Sequence, residues 1–265
     1  MRPVRISPSL LPYHVLYSMI STLIVYIYVY IYVTDTRRGG ASVHTMYTNK
    51  VAVLAGDYLL ARASVLLARL QHLQVVEVMA SALDALVQGE IMQARSSKEE
   101  LVDMKFYLRK SYFKTASLIC SACKSTALLS GYSETDPLTI AAEEFGYHFG
   151  MAFQIVDDIL DFTGASAVLG KPAQADMELG LATAPILYAS EVNKDLIPLI
   201  KRRFKEKGDV QKAVKLASET NSVEKSYALA DFHAQSAVNA LSKLPPSEAR
   251  SALARLLHQA VARSS

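Results

Sequence analysis

Phe149 to Asp161 reads F-G-M-A-F-Q-I-V-D-D-I-L-D, and the rest of the chain is read outward from it. The run is apolar enough for a buried helix, yet Asp157, Asp158 and Asp161 lie on nearly one face, a turn beyond Gln154. Residues three and four apart are neighbours on a helix, so these carboxylates repel by a few tenths of a kcal/mol (about 0.2–0.5), and by more where burial lowers the dielectric. A divalent cation reverses that sign. Mg²⁺ takes carboxylate oxygens and keeps open positions for water and phosphate oxygens, so Asp157, Asp158 and Asp161 are the expected metal ligands. Gly170, Lys171 and Pro172, then Asp176, follow as a loop sequence whose cation suits phosphate. A lone D-D-x-x-D is usually a solvated acidic helix end, but Phe153-Gln154 before it and Gly170-Lys171 after it argue against that reading.

The 265 residues are 51% hydrophobic with 11 glycines and 9 prolines, enough for a substantial core and unlike a disordered chain. A net charge of +3, with no basic stripe and no aromatic–basic interleaving, gives no expectation of a nucleic-acid partner. Cys120 and Cys123 form a C-x-x-C, a spacing used by redox and metal pairs. They sit inside the helical pattern T-A-S-L-I-C-S-A-C-K-S-T-A-L-L (115–129) with no second ligand pair, and read as small core residues.

Residues 1–33 differ in kind from residues 34–265, and the two are expected to be separate regions. Val15 to Val33 has no charged residue, and about 19 residues at ~1.5 Å rise just span a bilayer. Its core, Val25 to Val33, alternates Tyr with Ile and Val, as a TA/TG dinucleotide repeat would encode, which points to read-through from non-coding DNA. A mitochondrial presequence is a third reading, since Arg2 and Arg5 precede a stretch without acidic residues before Asp35; the long apolar run fits it poorly.

From Thr34 onward the pattern is helical and predicts an all-α domain without strands or linkers. Helices are expected over 49–70, 73–94, 114–129 and 136–161, with a capping box at Ser97-x-x-Glu100 opening another and Asp136-Pro137 opening the long one. Later helices are expected over 181–192, 194–205, 210–220, 223–243 and 247–263, the last two parted by Pro245-Pro246. Three basic clusters suit diphosphate. Arg37 and Arg38 can fork onto phosphate oxygens. Lys114-Thr115 at the start of a helix would offer an ammonium, a hydroxyl and a helix N-terminus together. Lys171 follows the acidic helix.

These stretches together resemble the trans-polyprenyl diphosphate synthases, the long-chain kind that makes the ubiquinone side chain. The matching runs are D-T-R-R-G (35–39), V-L-A-G-D-Y-L-L-A-R-A (53–63), G-E-I-M-Q (89–93), K-T-A-S-L-I (114–119), F-G-x-x-F-G-x-A-F-Q-I-V-D-D-I-L-D (145–161) and G-K-P-x-x-A-D (170–176). The resemblance implies an isoprenoid-synthase-type helical bundle around a central cavity. It implies Mg²⁺-dependent condensation of isopentenyl diphosphate with an allylic diphosphate. By the same resemblance Asp157, Asp158 and Asp161 are the second Asp-rich motif, and Lys114, Thr115, Gln154 and Lys171 bind the allylic diphosphate and stabilise the leaving group. Arg37 would serve the allylic diphosphate and Arg38 the isopentenyl diphosphate. A mitochondrial location is implied, with the cytoplasm as the alternative, and homo- or hetero-oligomers with a synthase subunit.

The pattern departs from that family upstream. Counted back from Arg37, the first D-D-x-x-D falls on Tyr28, Val29 and Tyr32, where no carboxylate stands, and the upstream isopentenyl diphosphate segment has no counterpart. The bundle is therefore expected to be incomplete at its N-terminal side, with apolar surface left bare over 51–70, poor solubility and impaired activity. The alternative is a non-catalytic partner of an intact synthase. A class I terpene cyclase is disfavoured because no N-x-x-x-S-x-x-x-E-type motif follows the acidic helix. Membrane contact depends wholly on residues 15–33.

Overall fold

The computed structural model describes residues 36–37, 40–41, 43–164 and 174–264. Expectations placed on Val15–Val33, Arg38, Gly170 and Lys171 lie outside the described residues. The longest element is α6, Pro137–Thr163, which contains the acidic run. Its start follows from local chemistry: the Asp136 carboxylate accepts the Leu138 N–H at 2.8 Å, and Pro137 needs no donor partner in the first turn. Gly164, at φ 80°, ends it in the left-handed conformation that glycine adopts without a Cβ clash.

Before α6 come a two-residue pairing of β1 (Thr36–Arg37) with β2 (Gly40–Ala41), the short α1 (Val43–Met46), α2 (Asn49–Arg69) and α3 (Leu73–Arg95). The β pairing is the one departure from an all-helical chain among the described residues, and it is too small to alter the class. The capping box is real: Ser97 N–H donates to Glu100 Oε2 at 2.8 Å, and Glu100 N–H to Ser97 Oγ at 3.2 Å. It opens only a 3₁₀ turn, Glu100–Val102, because Asp103 leaves helical geometry and caps the next helix itself. That helix is α4 (Met104–Ser111), and it runs without a break through a π turn (Tyr112–Ala116) into α5 (Ser117–Leu129). The expectation that a helix opens at Lys114 is therefore corrected. Lys114 and Thr115 sit inside a continuous helical run, where the Ser117 N–H returns to the Tyr112 carbonyl, five residues back.

After α6 follow α7 (Ala175–Glu178), α8 (Ala184–Val192), α9 (Leu196–Lys201), α10 (Asp209–Ser218), α11 (Ser222–Ser242) and α12 (Glu248–Val261), closed by a 3₁₀ turn at Ala262–Ser264. α6 is the hub. Ile155, Val156, Ile159 and Leu160 pack with Ala230 of α11, and Phe145 packs with Ala237, Ala240 and Leu241 of α11 and Leu257 of α12. Ile155 and Ile159 are fully buried, each worth about 1.5–3 kcal/mol relative to exposure. A second core gathers Tyr107 of α4 and Phe162 of α6 with Ile186, Leu196, Leu199 and Ile200. On the opposite flank α6 approaches the π turn and α5 closely. A Cβ on Gly150 would lie 2.6 Å from Ala116 Cα, and one on Gly146 would lie 2.7 Å from Cys120 Cα. Cys120 is buried and Cys123 half-buried, both as free thiols, which bears out their reading as core residues. Burial pushes both thiols up to about 12, so neither is a ready nucleophile.

α2 packs through Ala63 and Leu67 against Val75 and Met79 of α3 and Leu128 of α5. Its other side leaves Val51, Val53, Leu54, Tyr58 and Val65 exposed, as expected for this stretch. By length and composition α2 is apolar enough to cross a membrane, as the core helices of soluble proteins also are.

Candidate active site

One face of α6 presents Phe153, Gln154, Asp157, Asp158 and Asp161 to four other elements: α4, the π turn, α7 and the 3₁₀ turn at Ala262–Ser264. Asp158 is buried. Its Oδ2 accepts the Tyr107 hydroxyl at 2.6 Å, and its Oδ1 accepts the Gln154 side-chain N–H at 2.8 Å. The Gln154 oxygen in turn accepts the Thr115 hydroxyl at 2.6 Å. That sequence of donors fixes the amide: a carboxylate demands the NH₂ end, so the carbonyl end must face Thr115. The result is a continuous chain, Tyr107–Asp158–Gln154–Thr115, tying α6 to α4 and to the π turn. Asp161 is also buried, and its Oδ2 accepts the Asp176 N–H at 3.1 Å from the start of α7. Asp157 is only part-buried, with its Oδ1 3.0 Å from the Arg263 guanidinium.

Lys114 points the other way. Its ammonium donates to Gln93 Oε1 at 2.8 Å and lies 2.8 Å from Glu90 Oε1, both on α3. Gly89 makes this approach possible, since a Cβ there would sit 2.7 Å from Lys114 Cγ. Lys110, half-buried one turn earlier, completes a patch in which two cations and the carboxylates of Glu90, Asp158 and Asp176 act on one another. Arg37 belongs to β1.

Electrostatics follow from burial. Loss of water pushes the Asp158 carboxyl up to about 7, with the Asp176 charge adding to the rise; the Tyr107 hydrogen bond, Lys110 and Gln154 oppose it. Burial, and then the Asp158 charge, raise the Tyr107 phenol well above its ordinary value. Burial likewise lowers Lys110. Burial, ahead of any neighbouring charge, therefore sets the titration of these three groups.

Its donors fit a hard cation in kind, since all are carboxylates. Among the described residues no three His, Cys, Asp or Glu side chains converge as a ready metal cage. Of the residues picked from sequence, the structure joins Thr115, Gln154 and Asp158 directly, keeps Asp157 and Asp161 on neighbouring turns, and turns Lys114 toward α3. Tyr107, Lys110, Glu90, Gln93 and Arg263 were not picked. A buried tyrosine needs a partner for its hydroxyl, which is the signal that marks Tyr107.

Residues 33–217 match the family described as polyprenyl synthetase. The chain is 47% identical over 246 residues to the decaprenyl-diphosphate synthase of Dictyostelium discoideum, covering 93% of this chain and 53% of that protein. It is 46% identical over 228 residues to the "probable hexaprenyl pyrophosphate synthase, mitochondrial" of Neurospora crassa, covering 83% and 50%. The chain thus spans about half the length of these curated relatives. Among solved structures, an Arabidopsis medium/long-chain length prenyl pyrophosphate synthase in its apo form superposes with a TM-score of 0.82 at 34% identity, over 98% of this chain and 84% of that one. A decaprenyl diphosphate synthase from Rhodobacter capsulatus gives 0.85 at 26% identity, over 97% and 84%.

Proposed function

The chain belongs to the polyprenyl synthetase family, and on that premise we propose that its site carries out Mg²⁺-dependent prenyl transfer. An allylic diphosphate loses its diphosphate, the C–O bond electrons leaving with oxygen. The double bond of isopentenyl diphosphate supplies the electron pair for the new C–C bond, and a proton leaves the isopentenyl carbon skeleton. Repetition gives a long-chain polyprenyl diphosphate. The observation that carries this reading is the chain Tyr107–Asp158–Gln154–Thr115, which holds an acidic helix face against the helical run that bears Lys114.

When bound, Mg²⁺ neutralises charge on the leaving diphosphate; Asp157, Asp158 and Asp161 are the residues proposed to hold it. Gln154 orients Asp158 and shares the load of its charge with Tyr107. Lys114 and Thr115 are proposed to bind the allylic diphosphate, with Arg37, Arg38 and Lys171 as further cations for the two substrates. In that role the Lys114 ammonium exchanges the Glu90 carboxylate for phosphate oxygens, one charge-assisted pairing for another. The apolar residues behind the acidic face, Ile155 and Ile159, keep water from the side of α6 that faces the core.

Activity is proposed to be low in this chain, because Tyr28, Val29 and Tyr32 stand where the family places its first three carboxylates, and one preorganised electrostatic group is worth about 10²–10³ in rate. The mitochondrion is the proposed compartment, supported by the names of relatives such as the Neurospora crassa synthase. The test is turnover of labelled isopentenyl diphosphate with an allylic diphosphate and Mg²⁺. We expect weak turnover that Asp157→Ala abolishes, and a large gain when aspartates replace Tyr28, Val29 and Tyr32. Full activity in the unaltered chain overturns the impairment. No activity even with the carboxylates restored overturns the enzyme reading and favours a non-catalytic partner subunit.

A further inference from the structure

The three aspartates of α6 are not equivalent, and the difference lies at Asp157. Asp158 and Asp161 are buried and accept hydrogen bonds from Tyr107, Gln154 and the Asp176 N–H. Asp157 stands at the rim, its side chain 32% exposed, and faces a cation carried by the chain's own 3₁₀ turn after α12. That cation is held from three sides. The Arg263 Nη2 lies 3.0 Å from Asp157 Oδ1, its guanidinium lies 4.3 Å from the centre of the Phe153 ring, and its Nε donates to the Ala260 carbonyl at 3.0 Å. Phe153 precedes Asp157 by one helical turn, so ring and carboxylate form a single receptor for a planar cation.

We infer that Arg263 is a resident counter-cation for Asp157, so that the turn Ala262–Ser264 and a divalent cation compete for the same carboxylate. This rests on the proposed role of Asp157 as a metal ligand. A guanidinium keeps its charge at every working pH, so it cannot be titrated off and must be displaced bodily. The turn is short and follows directly on α12, whose last residue, Val261, packs against both cores around α6 and marks where the displacement must stop. The same exchange balances the site: the rim carboxylate has a cation when no metal is present, and releases it when one arrives. Competition is reciprocal, so the latch weakens metal binding by the same factor by which metal loosens the latch.

The experiment is Mn²⁺ binding to the purified full chain, read from the electron paramagnetic resonance signal of free Mn²⁺, with Mg²⁺ in competition. For a partly exposed ion pair backed by a cation–π contact, Arg263→Gln is expected to tighten Mn²⁺ binding by about 3- to 10-fold. Arg263→Lys is expected to fall between, because lysine keeps the charge and loses the planar stack. In an Asp157→Asn background Arg263→Gln is expected to change nothing further. Independently of affinity, saturating Mg²⁺ is expected to speed amide hydrogen exchange at residues 260–264 in the wild-type chain. Equal Mn²⁺ affinity with and without Arg263, while Asp157→Asn weakens both, overturns the latch and leaves the metal site standing. Absence of Mn²⁺ binding in every chain overturns the metal role of Asp157 and the latch with it.

Discussion

Replacing Gly150 with alanine sets two effects of known sign against each other. Gly150 is interior to α6, and helix propensity alone favours alanine over glycine by about 1 kcal/mol. The neighbouring helical run forbids it. The new Cβ would stand 2.6 Å from Ala116 Cα and 2.8 Å from Ala116 Cβ, where ordinary contact begins near 3.4 Å. Backbone is the obstacle, so no rotamer change relieves it, and the two helices must part locally by roughly the missing ångström. Overpacking of this kind costs about 1–3 kcal/mol, and a backbone obstacle puts it at the upper end. Net destabilisation of roughly 1–2 kcal/mol follows once propensity is subtracted. The same parting strains the 2.6 Å bond from Thr115 to Gln154, so the site loosens as the fold weakens. Urea unfolding measures it: a lower midpoint at constant slope is expected. Gly146→Ala, one turn earlier against Cys120, is expected to behave alike, and the double variant to cost less than the sum, because one displacement relieves both clashes. A Gly150→Ala chain more stable than wild type would refute the close approach of α6 to the π turn.

Two further outcomes concern hydrogen bonds. Tyr107→Phe keeps the buried ring but leaves Asp158 Oδ2 without its 2.6 Å donor, at a cost of about 1–3 kcal/mol in urea unfolding; unchanged stability would count against a buried Asp158. The second concerns His148 and His233, whose Nδ1 atoms lie 2.9 Å apart and join α6 to α11. Burial lowers both, and His233 reaches about 4, with His148 adding to its fall; Glu144, itself paired with Lys243, pulls His148 the other way. Between pH 4 and 6.5 the unfolded chain therefore binds protons that the folded pair refuses. The stabilisation is complete above the unfolded value and is lost as pH falls toward 4, by roughly 2–3 kcal/mol. His233→Phe is expected to flatten that part of the stability profile relative to wild type, the contribution of Asp158 being common to both chains; parallel profiles would remove the pair as the cause.

The long helix was legible because its signals are local: Asp136-Pro137 opens it and its apolar period is unbroken, while its end, at Thr163 before Gly164, lies two residues past the expected 161. The β-pairing of Thr36–Arg37 with Gly40–Ala41 was not, since two residues a side carry no periodicity. Lys114-Thr115 looked like a helix start because a cation and a hydroxyl precede an apolar run. Nothing in Tyr112–Ala116, which has neither Gly nor Pro, marks a π turn. The site was half legible for the same reason. Gln154 and Asp158 are four apart and read directly as neighbours, whereas Tyr107 and Asp158 are 51 residues apart and meet only through packing. Glu90 and Gln93 lay inside a matching run, G-E-I-M-Q, but their role as the seat of Lys114 needed the approach that Gly89 allows.

The π turn also fixes where this chain tolerates a change of length. Tyr107 lies upstream of it and Thr115 within it, and they reach Asp158 and Gln154, one turn apart on α6. Each helical residue advances the face by about 100°, so deleting one residue between Ser111 and Ser117 would tighten the turn into ordinary α-helix and swing everything after it by that angle. Every residue of the Tyr107–Asp158–Gln154–Thr115 chain could survive such a deletion in composition and still be lost in space. Indels are ordinarily absorbed by loops; here the length-critical part of the chain is the middle of a helix.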